Sequence, residues 1–271
     1  MFDSMGSILE ALSPEQQIAC STQNNILLTA CPGSGKTRTL THRLAYQVLR
    51  DPASKKIKIA ITYTNRAAEE ITNRLEGMNI DQSSIWAGTI HQFCMHFIIR
   101  PYAMYSKRLC KGYRIIDDYS KKAYGREIAE RLGMHLNYYD DPFQYENVRT
   151  EYKRVLKEKK EIDFDAILLI SEELLASCAF IGSNIASVIS SILVDEFQDT
   201  NELQYSILST IYKANKSIIL MFVGDVNQAI YSSLGGVAKG KKELETLYEI
   251  NFDSLSLKGC YRSTQRLVDL Y

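Results

Sequence analysis

The sequence predicts an α/β fold: a parallel sheet with helices on both faces, interrupted by an all-α insertion. Strand-length runs at 26–29, 57–62, 84–87, 191–194, 218–223 and 253–257 alternate with helix-period stretches. Most of the runs are predominantly apolar, as a strand covered on both faces requires. Residues 101–185 change character and read as helices crowded with Tyr and basic side chains. Finally, a Gly-rich turn follows 26–29, and Asp195-Glu196 follows 191–194. The expected borders are 1–100 with 186–271 for the sheet domain and 101–185 for the insertion.

The chain has 271 residues, enough for one large domain or two modest ones. After a loose start over 1–12, Ser13 suits an N-cap, Pro14 the first helical position, and Gln16 the site where a capping box closes. Gln16 has a second reading, because a side-chain amide that donates and accepts can read an adenine edge. The strand at 26–29 then enters Ala30-Cys31-Pro32-Gly33-Ser34-Gly35-Lys36-Thr37, and a helix-like stretch over 38–49 follows. Gly33 and Gly35 tolerate backbone geometry that turns N–H groups inward on an anion. The next helix offers its unpaired N–H donors and partial positive charge to the same place. In such a phosphate cradle Lys36 reaches the β- and γ-phosphates and the Thr37 hydroxyl holds Mg²⁺. Ala30, Pro32 and Ser34 complete the loop, with Arg38 directly after it. The general pattern begins with Gly where this chain has Ala30, so a plain Gly-rich connector is the competing reading.

Tyr63, Thr64 and Asn65 lie at the exit of the strand at 57–62, where ligands gather in parallel sheets. Ala67, Ala68, Ile71 and Leu75 mark one face of the following helix. The strand at 84–87 leads into Gly88-Thr89-Ile90-His91; by itself His91 reads as a core or capping histidine. His91, Cys94 and His96 are close in sequence, but their spacing fits no usual zinc pattern. Between 101 and 160 there are 14 basic and 9 acidic residues, a local excess in a chain whose 32 Lys and Arg equal its 32 Asp and Glu. A solvated helical face accounts for such a run equally well. A buried strand ending in Asp195-Glu196 complements the first loop: Asp195 would hold Mg²⁺ and Glu196 would polarise an attacking water. The strand at 218–223 ends in Gly224-Asp225-Val226-Asn227-Gln228-Ala229-Ile230-Tyr231, and Gly259-Cys260-Tyr261-Arg262-Ser263 follows the last strand.

Global neutrality leaves no overall positive field, so nucleic acid would bind in a local groove or beside neutral aromatic platforms. The six cysteines form no C-x-x-C pair and no leader is evident, so a cytoplasmic protein with reduced thiols is expected. No apolar run approaches the roughly 20 residues that span a bilayer, so no membrane association is expected.

Taken in order, these motifs resemble the N-terminal half of UvrD/Rep/PcrA-type DNA helicases, from about residue 12 to residue 263. Val194-Asp195-Glu196-Phe197-Gln198-Asp199-Thr200-Asn201, followed by Gln204, is the most specific match. Asp163-Phe164-Asp165-Ala166-Ile167-Leu168 is similar to a family segment within the insertion. The resemblance implies a RecA-like P-loop NTPase domain that uses ATP and Mg²⁺ and moves 3′ to 5′ on single-stranded or 3′-tailed DNA. It implies that Gln16 reads adenine, Lys36, Thr37 and Asp195 hold phosphate and metal, and Glu196 is the base. Gln228 then senses the γ-phosphate, and Arg262 stabilises charge on the transferring phosphate. Tyr63, Thr64, Asn65, His91 and Tyr231 are implied to contact DNA.

The sequence departs from the family at Cys31, Asn227 and Cys260, and most tellingly at Ser233, which stands where the family carries a base-stacking Trp. A stacking platform is worth roughly 1–3 kcal/mol per base, so a weaker or altered grip on DNA is expected. The family's second motor lobe would lie beyond Tyr271. The resemblance therefore implies that this stretch alone turns over ATP feebly, since an arginine finger contributes about 10³–10⁵ in kcat in related chemistry. The alternative reading is a nucleotide-dependent regulatory or sensor subunit that partners a nuclease in recombination or anti-phage (antiviral) defence. A nucleotide kinase fits the first loop but gives no account of Asp195 to Asn201.

Overall fold

The computed structural model describes residues 2–137, 139–225, 239–257 and 259. Two compact units are present: Met1–Phe93 with Gly182–Tyr271, and Cys94–Ile181. Their borders fall a few residues from the 100/101 and 185/186 expected. The displacement at the first border has a local reason: the π-helical turn Cys94–Ile99 packs against the helix Phe164–Ser177 and so belongs with the insertion.

The first unit is built on β1 (Ile26–Ala30), β2 (Ile57–Thr62), β3 (Ile85–Thr89), β6 (Ile189–Asp195), β7 (Ile219–Gly224) and β8 (Asp253–Leu257), while β4 (Arg114–Ile115) and β5 (Glu161–Ile162) belong to the second. The six strands pair in the order β3-β2-β6-β7-β1-β8, with every pairing parallel. Thr29 stands opposite Gly224, Asp195 opposite Val223, and Thr62 opposite Thr89. This register brings the ends of five strands to one edge of the sheet, where open α/β sheets bind ligands.

Alternation along each strand separates two cores. On one face Ile26, Leu28, Leu193, Met221 and Val223 meet Leu40 and Leu44 of the helix Lys36–Arg50, and Ile71 and Leu75 of the helix Asn65–Gly77. On the other, Phe222 is ringed by Phe197, Tyr205, Tyr248 and Phe252, at centroid distances of 5.4–6.3 Å. Tyr205 belongs to the helix Glu202–Ala214 and Tyr248 to the helix Lys241–Tyr248. Helices thus cover both faces, as continuous apolar strands demand.

One charged side chain is wholly buried beside this core. Arg43, on the helix Lys36–Arg50, has no exposed surface and donates to the carbonyls of Ala19 and Asn24. Burial lowers its pKa to about 10.

The second unit is mainly helical, with Asp118–Arg131 and Glu146–Lys159 packed through Ile128, Ala129, Val148, Tyr152 and Leu156. It is not all-α: β4 and β5 pair in parallel, Arg114 opposite Glu161 and Ile115 opposite Ile162. Two-residue strands are too short to carry a period of their own, which is why the sequence does not announce them. Asp163 caps the helix Phe164–Ser177 through the Ala166 N–H and accepts the Tyr152 hydroxyl at 3.0 Å. Among the described residues no helix is long and apolar enough to cross a membrane.

Candidate nucleotide site

Ala30 ends β1, and the loop that follows turns back on itself: the Ser34 N–H and hydroxyl both donate to the Cys31 carbonyl, at 3.2 and 2.7 Å. Gly33 and Gly35 have φ of 75° and 86°, in the left-handed region that side chains disfavour. Gly35 is the N-cap of the helix Lys36–Arg50 and offers no side-chain cap, which leaves that helix's first N–H groups for an anion. A Cβ on Gly35 would stand 2.7 Å from Gln16 Nε2, so the position is closed to side chains for a second reason.

Gln16 lies beneath the loop and is buried. Its Oε1 accepts the Ser13 N–H at 3.1 Å, completing the expected capping box, and its Nε2 donates to the Ser34 carbonyl at 3.2 Å. The amide therefore ties the preceding helix to the loop. Arg38 turns its guanidinium to the Ala11 carbonyl at 2.8 Å. Thr37 sits on the first helical turn and is half-buried, while Pro32 is exposed.

Lys36 and Glu196, 160 residues apart in sequence, meet as an ion pair with Nζ 2.9 Å from Oε2. Glu196 has φ of 49°, an unusual conformation for a residue with a side chain. It stands at the end of β6, directly after the buried Asp195, whose Oδ1 accepts the Glu196 N–H at 3.1 Å. Burial, then the Glu196 charge, pushes the Asp195 carboxyl up to about 7, against the pull of Lys36. Asp199 is raised as well, by burial and then by Glu196.

A cavity of about 350 Å³ opens over Asp195, Glu196 and Asp199 and extends to Tyr63, Thr89 and His91. Tyr63 and His91 are thereby brought to the same hollow as the two acids. Thr64 and Asn65 are not among its walls: the Thr64 hydroxyl accepts the Ala67 N–H as N-cap, and Asn65 begins the exposed helix behind it. Gln228, Tyr231 and Arg262 lie outside the described residues.

The donor set suits Mg²⁺. A cation beside Asp195 would offset the burial cost of its charge, and a carboxylate plus a hydroxyl is the sparse protein contribution Mg²⁺ takes alongside phosphates and water. Among the described residues no group of three or more His, Cys, Asp or Glu is arranged to hold a metal.

One bridge here is not foreseeable from sequence patterns, and one pairing is. Gln198 bridges Glu196 Oε2 and the Asp225 N–H, at 2.8 and 3.1 Å. The Asn201–Gln204 pair is a capping box on the helix Glu202–Ala214, a spacing the sequence does display.

A family model described as an AAA domain matches residues 15–234. The chain belongs to the AAA domain family. Its relatives are UvrD-like superfamily 1 helicases. It is 28% identical over 279 residues to an ATP-dependent DNA helicase PcrA of Leuconostoc citreum, covering 92% of this chain and 37% of the relative. To DNA helicase II of Escherichia coli it is 26% identical, covering 96% of this chain and 40% of the relative. The chain thus spans about two fifths of the length of these curated relatives. Among solved structures, Pif1 helicase from Candida albicans aligns with a TM-score of 0.48 and 13% identity, over 96% of this chain and 43% of that one. The sheet, parallel throughout and covered by helices on both faces, is an α/β architecture with the glycine-rich loop at the exit of β1.

Proposed function

We propose that this chain is the ATP-binding and single-stranded-DNA-binding part of a 3′–5′ DNA helicase or translocase that couples ATP hydrolysis to movement and unwinding. The observation that carries the reading is the Lys36–Glu196 pair, whose carboxylate walls a cavity also lined by Tyr63 and His91. Phosphate chemistry and an aromatic side chain then share one hollow, as a nucleic-acid-stimulated ATPase requires. Tyr63 is about half exposed, and an aromatic surface of this kind is one on which a base can stack.

In this reading the ATP phosphates lie against the N–H groups at the start of the helix Lys36–Arg50. Lys36 leaves Glu196 for the more highly charged phosphate, and the released carboxylate accepts a proton from the attacking water. Mg²⁺ would be held by Thr37 and Asp195 and would supply charge neutralisation for the phosphates. Gln16, Ala30, Pro32, Gly33, Ser34, Gly35 and Arg38 line or support the nucleotide. Gln228 and Arg262 complete the γ-phosphate contacts, and a second motor lobe supplies the remainder. Thr64, Asn65 and Tyr231 join Tyr63 and His91 along the DNA path. The protein would act in the cytoplasm, in DNA repair or antiviral defence. The relatives named as ATP-dependent DNA helicases support the same assignment.

The test is ATP turnover by the full-length protein, with and without single-stranded DNA, beside Lys36→Ala. Stimulation by DNA and its loss in the variant are expected; equal rates in the two proteins would sink the proposal. A second reading, a nucleotide-gated regulatory subunit for a nuclease, draws on the balanced charge of the chain, 32 basic against 32 acidic residues. Co-purification with a nuclease whose activity follows Lys36 would favour it, whereas processive unwinding by the isolated protein would remove it.

A further inference from the structure

Resting on that reading, we infer that Gln198 is a positioning residue that keeps Glu196 aimed once nucleotide has drawn Lys36 away, and that it ties this aim to the end of β7. Gln198 is only 3% exposed, and both ends of its amide are engaged. Its Nε2 donates to Glu196 Oε2 at 2.8 Å, and its Oε1 accepts the Asp225 N–H at 3.1 Å. Lys36 Nζ reaches the same Glu196 oxygen at 2.9 Å. One carboxylate oxygen is therefore held from two sides, by the phosphate loop and by a side chain anchored at the β7 exit.

The two holds are not equivalent. The Lys36 ammonium is the group a phosphate competes for, because the phosphate carries more charge than a carboxylate. The Gln198 amide is neutral, buried and fastened at its far end to backbone. When Lys36 departs, Gln198 is the one of these two donors that remains. The need is acute because Glu196 sits at φ 49°, a conformation that persists only where surrounding contacts over-determine it.

The fit is close enough to exclude a side chain on the neighbouring strand. A Cβ on Gly224 would fall 2.2 Å from Gln198 Oε1 and 2.6 Å from the Phe197 ring, although Gly224 has no positive φ to explain a glycine there. Phe197 is held in turn by the Tyr205 hydroxyl, which donates to its carbonyl at 2.8 Å. The short helix Phe197–Asp199 is thus fixed on the sheet, with the Gln198 amide fitted between the ends of β6 and β7.

The test compares DNA-stimulated ATP turnover and Mg–ADP affinity in the full-length wild type, Gln198→Ala, Gln198→Glu, Glu196→Gln and the double variant Glu196→Gln/Gln198→Ala. Glu at 198 can still accept the Asp225 N–H but cannot donate to Glu196 when ionised. Both Gln198 variants should lose about 10- to 100-fold in kcat, less than the roughly 10²–10⁴-fold that loss of the base itself costs, while KM and Mg–ADP affinity stay within about threefold. In the Glu196→Gln background the Ala change should cost little more, because both act through one carboxylate. Wild-type kcat in Gln198→Glu, or an Ala effect as large in the Glu196→Gln background as in the wild type, would overturn the positioning role alone. Equal turnover in wild type and Glu196→Gln would instead remove the base assignment, and the role of Gln198 with it.

Discussion

Lys36 Nζ lies 2.9 Å from Glu196 Oε2, so the cation at the end of the glycine-rich loop and the carboxylate at the end of β6 neutralise each other. The Lys36 side chain is 10% exposed and that of Glu196 36%, which makes the pair a partly solvated one. Its net worth to stability is modest, of the order of 1 kcal/mol or less.

Glu196→Gln should therefore melt close to the wild type while losing turnover by about 10²–10⁴-fold. With the base removed and the Lys36 loop intact, Mg–ATP should bind and persist. Equilibrium binding of a fluorescent ATP analogue beside phosphate release reads both properties; parallel loss of binding and turnover would contradict the assignment.

Asp195 gives the nucleotide-free protein a pH signature. Its folded pKa, about 7, lies above that of an unfolded aspartate, about 4, so the folded state holds the proton longer. Below about pH 4 both states are protonated and the group contributes nothing. Stability then falls as pH rises through the window from about 4 to about 7, and the penalty is constant above it. Asn at this position removes the titration. The melting temperature of Asp195→Asn should gain on the wild type between about pH 5 and pH 8 without Mg²⁺, and the variant should lose stabilisation by Mg–ADP. A difference in melting temperature that does not change with pH would refute this.

Gln16→Ala removes one half of a capping box and the side-chain donor to the Ser34 carbonyl at once. Loss of about 1 kcal/mol is expected from the cap. Binding of Mg–ADP should weaken further, since the loop loses its prop. Chemical denaturation and nucleotide titration of the same variant measure the two effects; unchanged stability would dismiss the cap contribution.

Much of the sheet was legible in the sequence because buried parallel strands are unbroken apolar runs and their exits carry conspicuous residues. The Gly-rich loop and Asp195-Glu196 read as partners across 160 residues, and Lys36 and Glu196 do meet. Strand order was not legible, because nothing local in β6 says that β2 and β7 flank it. Gln198 stands out in the sequence only as part of a motif, since its work depends on Asp225, 27 residues away and just past the end of β7. Nor did the sequence mark Arg43 as internal. A basic residue on an amphipathic helix reads as solvated until the Ala19 and Asn24 carbonyls are seen to receive it.

Arg43 divides the nucleotide site into a stationary and a yielding wall. Its buried guanidinium staples the helix Lys36–Arg50 to the carbonyls on either side of the turn before β1, while Gln16 fastens the same segment to Ser34. Residues 13–50 are thereby cross-linked at both ends of the phosphate loop, and any motion of the cradle must carry all of them together. Arriving phosphate meets an anvil rather than a hinge. On the proposed function, the change that phosphate brings would be taken up on the opposite side, where a single carboxylate oxygen changes hands.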